Sequence, residues 1–438
     1  MPLEQTDMAV RPHAPGVRHV AIISEHASPL AAPGSIDCGG QNVYVASLAR
    51  ELALAGYLVD IFTRRDAFGQ KQVVAWGDNI RVIHVPAGPA HYVPKEQMLP
   101  YMETFSRFVA RFARRQPQLY DIVHANFFMS GIVAQHLKES LGIPFVITFH
   151  ALGKVRRIAQ GAADTFPAAR LQIEYDLMRS ADCVIAECPQ DKLDMERHYG
   201  APSERIEVAP CGFDPQELWP VPKRLARARL ALPQERFIVL QLGRMVPRKG
   251  VDTVIQSIAL LRDRTGVSAQ LLVVGGEEPR RNGRESPELT RLRAVAFGLG
   301  IGGHVSFTGR KDRSELRYYY SAADVFVTTP WYEPFGITPV EAMACARPVI
   351  GAEVGGIKST VVDGETGFLV PSRDPQALAE RLAVLHHNRE LAQSMGDEGL
   401  RRAYQHFTWR TVAHKAAAIY ATVVGGAFVQ PDPVYSEL

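Results

Sequence analysis

Two glutamates in the segment 330–344, PWYEPFGITPVEAMA, are the residues whose spacing first suggests chemistry. Glu333 and Glu341 have seven residues between them, and the segment contains no Lys or Arg although Phe, Ile, Val and Met surround them. The pattern predicts a strand in DVFVTTP and a helix from about Gly336, which places Glu333 in the connecting loop and Glu341 on the second helical turn. Because a carboxylate accepts hydrogen bonds from adjacent hydroxyls, one could hold a sugar and the other a ribose. The alternative interpretation is an exposed loop residue and a helix-surface residue.

Two cations follow the first predicted strand of the second half of the chain. Arg244 and Lys249 lie on either side of a proline-containing loop in LGRMVPRKGVDTVI, just before a predicted helix. A guanidinium and an ammonium near one point would neutralise a diphosphate without a metal ion. A solvated basic loop is the alternative, and we interpret Arg248 as such a surface charge.

A pair of glycines, Gly39 and Gly40 in SIDCGGQNVYV, stands between the first predicted strand and a helix. Glycines let the backbone approach a ligand closely, and the N–H groups at a helix start attract an anion such as phosphate. An ordinary flexible turn is equally compatible with this pattern. His150 follows an apolar strand in PFVITFH, and its position alone favours a structural role.

Other kinds of site find no support in the sequence. GLGIGG at 298–303 matches a dinucleotide fingerprint by letters, but it follows a helix and precedes a strand, the reverse of the required order. Neither D-x-D nor H-E-x-x-H occurs, and the G-x-S-x-G elbow is missing, so the motifs favour chemistry without a metal.

Composition narrows the class of protein. A length of 438 residues suits two domains of about 200 residues each. The net charge of +3 does not favour nucleic-acid binding. Five scattered cysteines predict reduced thiols in the cytoplasm, and no apolar run is long enough to span a membrane, although peripheral membrane association stays open.

Alternating strand and helix patterns recur along both halves of the chain. HVAIIS, LVDIFT and DIVHAN in the first half, and RFIVLQLG, AQLLVVGG and DVFVTT in the second, are separated by helical segments. This order predicts parallel βαβ units in two open sheets. A proline-rich, charged stretch at about 215–235 is the predicted linker. Ligands of such sheets bind at the carboxyl ends of the strands, so we expect the chemistry in the cleft between the halves.

Taken together, these segments resemble the retaining glycosyltransferases of family 4, from about residue 18 to 423. The most specific match is the E-x7-E signature of Glu333 and Glu341; GRMVPRKG matches the phosphate-binding loop and CGGQNVYV the glycine loop. The resemblance implies the α/β GT-B fold, two Rossmann-like doubly wound parallel-sheet domains facing each other across a cleft. It predicts an acceptor-side domain at 1–215, to which a helix at 409–426 crosses back, and a nucleotide-sugar-binding domain at 216–408.

The resemblance also implies roles for individual residues. The donor's diphosphate would contact the Arg/Lys pair and the backbone of the helix start, Glu341 the ribose, and Glu333 the transferred sugar. Catalytic roles fall on His150, Glu333, Arg244 and Lys249. Donor-binding roles fall on Gly39, Gly40, Arg244, Lys249, Glu333, Gly336, Ile337, Thr338 and Glu341.

The implied reaction is a metal-independent, retaining transfer of a hexose from a nucleotide-diphosphate sugar to an acceptor hydroxyl, with no cofactor. UDP-glucose and UDP-N-acetylglucosamine are the expected donors. Two alternatives on the same fold are a sugar-nucleotide 2-epimerase, which needs no acceptor, and a catalytically silent sugar-nucleotide sensor.

The acceptor side resembles two groups within the family, the sucrose-phosphate synthases and the inositol-phosphate N-acetylglucosaminyltransferases. Lys95 matches a lysine near the acceptor's phosphate in the first group, and Lys95 and Arg170 match two phosphate ligands of the second. Phe127 and Ala151 stand where the second group has a tyrosine and a threonine, which argues against an inositol-phosphate acceptor. A sugar phosphate or another anionic acceptor stays open.

Overall fold

The computed structural model describes residues 18–31, 39–276 and 285–425, which form two α/β units. The first unit contains an eight-stranded sheet in the order β3-β4-β2-β1-β5-β6-β7-β8. Its strands are β1 (His19–Ile23), β2 (Leu58–Arg64), β3 (Val73–Gly77), β4 (Ile80–Val85), β5 (Ile122–Asn126), β6 (Phe145–Thr148), β7 (Cys183–Ala186) and β8 (Ile206–Val208). Its helices are α1 (Gly40–Leu54), α2 (Met102–Arg114), α3 (Phe128–Leu141), α4 (Gly153–Gln160), α5 (Arg170–Ser180) and α6 (Pro189–Tyr199).

Helices cover both faces of the first sheet because successive side chains of a strand point to opposite faces. Val20 and Ile22 of β1 belong to the same apolar cluster as α1, whereas Ala21 and Ile23 belong to the cluster that contains α2 and α3. All four side chains are fully buried. This two-sided burial explains why the strand reads as a continuous apolar run.

The second unit repeats the design with a six-stranded sheet in the order β11-β10-β9-β12-β13-β14, in which every pairing is parallel. Its strands are β9 (Ile238–Leu242), β10 (Gln270–Val274), β11 (Val305–Gly309), β12 (Val325–Thr328), β13 (Val349–Ala352) and β14 (Gly367–Val370). The remaining helices are α7 (Lys223–Arg229), α8 (Val251–Thr265), α9 (Pro287–Gly298), α10 (Arg313–Ala322), α11 (Ile337–Ala344), α12 (Ile357–Thr360), α13 (Pro375–His387), α14 (Arg389–His406) and α15 (Trp409–Val424). The predicted class, two doubly wound parallel-sheet units, is confirmed.

Two local features differ from the sequence-based expectation. Strand β3 pairs antiparallel with β4 at the edge of the first sheet, although we expected only parallel pairs. The predicted linker contains α7, whose Arg227 is buried and donates to the Ala322 carbonyl at 2.9 Å and to Asp324 at 2.7 Å. A charged segment therefore docks onto the second unit because its guanidinium finds acceptors there.

The chain crosses between the units at two adjacent places. Phe213 and Thr408 form a parallel β-bridge, in which the Phe213 N–H donates to the Phe407 carbonyl at 2.8 Å and the Trp409 N–H to the Phe213 carbonyl at 3.0 Å. After the second crossing, α15 packs on α1, with the rings of Tyr44 and Trp409 5.8 Å apart. None of the described helices is both long and apolar enough to cross a membrane.

Candidate active site

The loops after β9 and β12 bring a lysine and a glutamate into contact at the point where the strand order of the second sheet reverses. A single 3₁₀ turn at Pro247–Lys249 carries Lys249, whose ammonium forms an ion pair with Glu333. Arg248 Nη1 lies 3.9 Å from the same carboxylate. The side chains of Lys249, Glu333 and Arg248 are only 16, 15 and 20% exposed, so this is not a solvated basic loop. The interpretation of Arg248 as a surface charge is wrong.

The cations determine the charge of this cluster. Burial alone would raise the pKa of Glu333, but Lys249, Arg248 and Arg244 together lower it below the usual value. Burial lowers the pKa of Lys249, and Glu333 only partly offsets this effect. Arg244 is exposed, yet it lies close enough to influence the pKa of both residues. Three cations around one carboxylate leave a positive site that suits a diphosphate.

Helix α11 points its first turn at the glycine loop of the other unit. Gly336 caps the helix in the left-handed region, with φ +93°, and Ile337 and Thr338 form its first turn, where N–H groups lack intrahelical partners. A Cβ placed on Gly40 would lie 3.4 Å from Ile337 Cδ1, so the two helix starts face each other across the cleft. Gly39 caps α1, and its N–H donates to Asn42 Oδ1 at 3.0 Å. Residues 32–38 of the glycine loop lie outside the described residues.

Glu341 is buried on the inner side of α11 and not on the helix surface, as the alternative interpretation had it; its exposure is 3%. Its Oε2 accepts a hydrogen bond from the Tyr320 hydroxyl at 2.7 Å, and its Oε1 lies 3.4 Å from Arg313 Nη1. Arg313 also donates to Glu217 at 2.7 Å. Burial, reinforced by Glu341, raises the pKa of Tyr320 well above its usual value, so its hydroxyl remains a donor. A ligand hydroxyl at Glu341 would share the carboxylate with these groups.

His150 lies just beyond β6 with a left-handed backbone, φ +57°, and its side chain is 9% exposed. Its Nδ1 is 2.8 Å from Glu187 Oε1 and its Nε2 is 3.0 Å from Asn126 Oδ1. Sequence reasoning missed both partners. Asn126 ends β5 and Glu187 follows β7 directly, so both stand at the carboxyl ends where ligands of parallel sheets bind, and that rule could have identified them.

The two residues expected at the acceptor differ in their surroundings. Lys95 lies in a single 3₁₀ turn, Lys95–Gln97, and is partly buried. Arg170 is 1% exposed; it donates to Glu174 at 2.7 Å and to the carbonyl of Ala151. Its guanidinium is 4.8 Å from the centre of the Phe127 ring. The two residues that depart from the pattern of the inositol-phosphate group, Phe127 and Ala151, therefore both contact Arg170.

A cavity of about 360 Å³ lies between the units beside Glu333. Leu152, which caps α4, and Val155 of α4 line its wall, and the loop of Glu333 contributes Trp331 and Tyr332. Asp191 of α6 also lines the cavity. The loop also contacts the start of α6 directly, since Cys188 Sγ lies 3.4 Å from the Pro334 carbonyl. The site thus offers a cationic centre next to a partly apolar chamber.

Comparison with known proteins is consistent with this geometry. Residues 38–217 match the model described as Glycosyltransferase Family 4, and residues 222–402 match Glycosyl transferases group 1. D-inositol 3-phosphate glycosyltransferase 2 of Catenulispora acidiphila is 35% identical over 92% of this chain and 95% of that protein. The D-inositol 3-phosphate glycosyltransferase of Streptomyces scabiei is 36% identical over 93% of this chain and 92% of that protein. The chain belongs to the family 4 glycosyltransferases.

Solved structures place this family 4 glycosyltransferase in the GT-B fold. Sucrose-phosphate synthase from Thermosynechococcus elongatus superimposes with a TM-score of 0.84 and 34% identity, over 93% of this chain and 99% of that one. WaaG, a glycosyltransferase involved in lipopolysaccharide biosynthesis, has 19% identity and a TM-score of 0.67, over 93% of this chain and all of that one, and shows the fold alone. The predicted family, fold and enzyme class are confirmed.

Proposed function

We propose that this glycosyltransferase moves a hexose from a nucleotide-diphosphate sugar to an acceptor hydroxyl with retention of configuration, without a metal ion or cofactor. The observation that carries the proposal is the cluster of Arg244, Arg248 and Lys249 around Glu333 at the carboxyl ends of β9 and β12. Cations in a partly buried cleft stabilise charge that develops on a leaving diphosphate.

Each group has a part in the proposed step. The bond between the sugar's anomeric carbon and the diphosphate oxygen breaks, and the acceptor oxygen forms the new bond on the same face. The acceptor's proton passes to the departing diphosphate, so no separate base is needed. Lys249, Arg244 and the N–H groups at the start of α11 stabilise the diphosphate. Glu333 binds the sugar's hydroxyls and Glu341 those of the ribose, and neither forms a covalent intermediate.

The substrates are the finer part of the proposal. UDP-glucose and UDP-N-acetylglucosamine are the proposed donors, by analogy with the sucrose-phosphate synthases and inositol-phosphate glycosyltransferases. The names of the relatives indicate phosphorylated substrates, and we propose an anionic acceptor near Lys95. The burial of Arg170 against Phe127 argues against an inositol phosphate. The cysteines of the described residues are free and buried, which supports work in a reducing cytoplasm.

Two substitutions test the cationic centre. Lys249→Ala removes charge from the diphosphate site, and Glu333→Gln keeps the shape of the side chain but removes its charge. We expect each to lower the transfer rate by about 100-fold or more while the protein stays folded. Lys138→Ala is the matched control, because that lysine lies in the last turn of α3 and pairs with Asp182 of the first unit. Near-normal turnover in both site variants would contradict the proposal.

The donor is identified first, by the thermal shift that UDP-, GDP- and ADP-sugars each produce. Sugar phosphates and inositol phosphate are then supplied as acceptors, and products are followed by mass spectrometry. Loss of UDP-N-acetylglucosamine without any acceptor would indicate the epimerase instead. If the protein binds a donor but produces no product with any of these acceptors or with a cell extract, it is the silent sensor.

A further inference from the structure

His124 of β5 and His150, just beyond the neighbouring strand β6, have different hydrogen-bonding groups around their rings. His124 of β5 lies between hydroxyls, with Nδ1 2.6 Å from the Tyr420 oxygen and Nε2 2.9 Å from Thr148 Oγ1. A hydroxyl both donates and accepts, so a neutral imidazole satisfies both contacts. Burial, aided by nearby His150, lowers the pKa of His124 to about 3. His124 is therefore a neutral, structural histidine.

His150 lies between two acceptors. The Glu187 carboxylate, 2.8 Å from Nδ1, can only accept. The orientation of the Asn126 amide is fixed by its nitrogen, which donates to the carbonyls of His124 at 3.2 Å and Ile23 at 3.4 Å. The amide oxygen must therefore face Nε2 of His150, at 3.0 Å. With Glu187 ionised, both contacts are hydrogen bonds together only when each ring nitrogen carries a proton.

Glu187 is itself held in place and needs a counter-charge. It is 3% exposed, its Oε1 lies 3.1 Å from the Cys211 thiol, and its backbone N–H donates to Asp191 Oδ2 at 3.1 Å. Burial, and then Glu187, raise the pKa of Cys211, so the thiol stays a neutral donor. A buried carboxylate without a cation would be costly. An imidazolium at His150, 2.8 Å away, would supply that cation.

We propose that Glu187 is a positioning residue that holds His150 as a doubly protonated imidazolium at the carboxyl end of β6. The other groups near His150 bring no competing charge: α1 contributes the Tyr44 ring, whose centre lies 4.8 Å from that of the imidazole, and β5 contributes the Asn126 amide and neutral His124. His150 then has no lone pair with which to accept the acceptor's proton. The catalytic consequence is that His150 acts as a fixed cation and not as a base, and this consequence rests on the proposed function. The protonation of His150 does not depend on that function.

The protonation is tested without any substrate. Nitrogen NMR of the ¹⁵N-histidine-labelled enzyme at neutral pH reports how many protons each ring carries, with the His150 signals identified from His150→Gln and those of His124 as the neutral reference. We expect two protonated nitrogens on His150 and one on His124, and a single protonated nitrogen on His150 in Glu187→Gln. A singly protonated His150 in the unaltered enzyme overturns the inference.

Kinetics test the positioning role. Glu187→Gln should lower kcat by roughly 100-fold, the loss typical of a displaced reacting group, with a much smaller change in the donor KM. Glu187→Asp should restore part of kcat. Asp60→Asn is the control. It removes another buried carboxylate, on β2, that accepts hydrogen bonds from Arg81 and Tyr120. This change should lower stability but not kcat. An unchanged kcat in Glu187→Gln overturns the positioning role. If the unaltered enzyme transfers no sugar, the proposed function fails while the NMR result still decides the inference.

Discussion

Carboxyl groups that line one cavity are held in different charge states by their neighbours. Glu333 is surrounded by cations, which lower its pKa despite its burial. Asp191, which lines the same cavity, has no cation among the groups that most affect its pKa; burial, and then Glu187, raise this pKa to about 8. At neutral pH the first is ionised and the second mostly protonated. The cavity therefore carries less negative charge than its composition suggests.

Asp191→Asn should stabilise the protein in a pH-dependent way. An unfolded aspartate has a pKa of about 4, so between about pH 4 and pH 8 the folded state binds a proton that the unfolded state has lost. The free energy of unfolding of the natural protein therefore falls as pH rises through this range. The asparagine variant avoids the loss, and its advantage should grow to the order of 1 kcal/mol or more. Urea unfolding at both ends of the range measures it, and an advantage independent of pH would contradict this account.

The roles of single side chains could be predicted where one short segment of sequence contains the whole motif. The spacing of Glu333 and Glu341 and the loop with Lys249 are local patterns, and the structure joins Glu333 and Lys249. Glu187 and Asn126 were not found, because their meeting at His150 depends on the register of β5, β6 and β7. Arg248 was misjudged because a basic loop gives no sign of which of its charges turns inward.

The loop after β13 supports the loop of Glu333 through backbone contacts. The Gly356 N–H donates to the Glu333 carbonyl at 3.2 Å. Gly355 has φ +47°, and a Cβ there would lie 1.8 Å from the same oxygen. Only a glycine fits at this position without displacing the loop that carries the carboxylate.

Gly355→Ala should therefore impair donor binding as well as stability. Gly364→Ala is the matched control, since its φ of +80° imposes the same kind of backbone strain, about 1–2 kcal/mol, while the added methyl group meets nothing within 4 Å. Thermal unfolding with and without a nucleotide sugar that the natural protein binds separates the two effects. We expect both variants to lose stability but only Gly355→Ala to lose most of the ligand-induced shift. Equal ligand-induced shifts would contradict the role assigned to this loop.

Whole strands and helices could be predicted where burial requires a recognisable pattern of apolar residues. The strands of both sheets stand out because both faces are covered, which requires continuous apolar runs. Edge strand β3, VVAWG, is partly exposed at every position and lacks that signal. Helix α7 was hidden because its charged sequence resembles a solvated linker, and only the acceptors at Ala322 and Asp324 bind Arg227 to the second unit.

Helix α15 joins the end of the chain to the first sheet through a buried hydrogen bond, and this predicts a stability effect on the whole molecule. Tyr420→Phe leaves His124 Nδ1 without its hydroxyl partner and should cost about 1–3 kcal/mol. The helix follows the second unit in sequence but packs on the first, so it couples the unfolding of the two units. We therefore expect the variant to unfold in one transition, at a lower temperature than the natural protein. Calorimetry measures this. Tyr404→Phe, at a half-exposed tyrosine of α14, is the control, and an equal loss in the control would contradict the assignment.

The paired crossings at Phe213 and Thr408 restrict how the halves of the molecule can move. Because these two segments are bonded side by side, both chain connections between the halves lie along one narrow line, while other contacts between them, such as Cys188 with Pro334, join loops and side chains. Such a joint permits swinging about that line and opposes sliding across it. Any gap must widen in proportion to its distance from the joint, so a pair of labels near Gly40 and Ile337 would follow the angle of the swing.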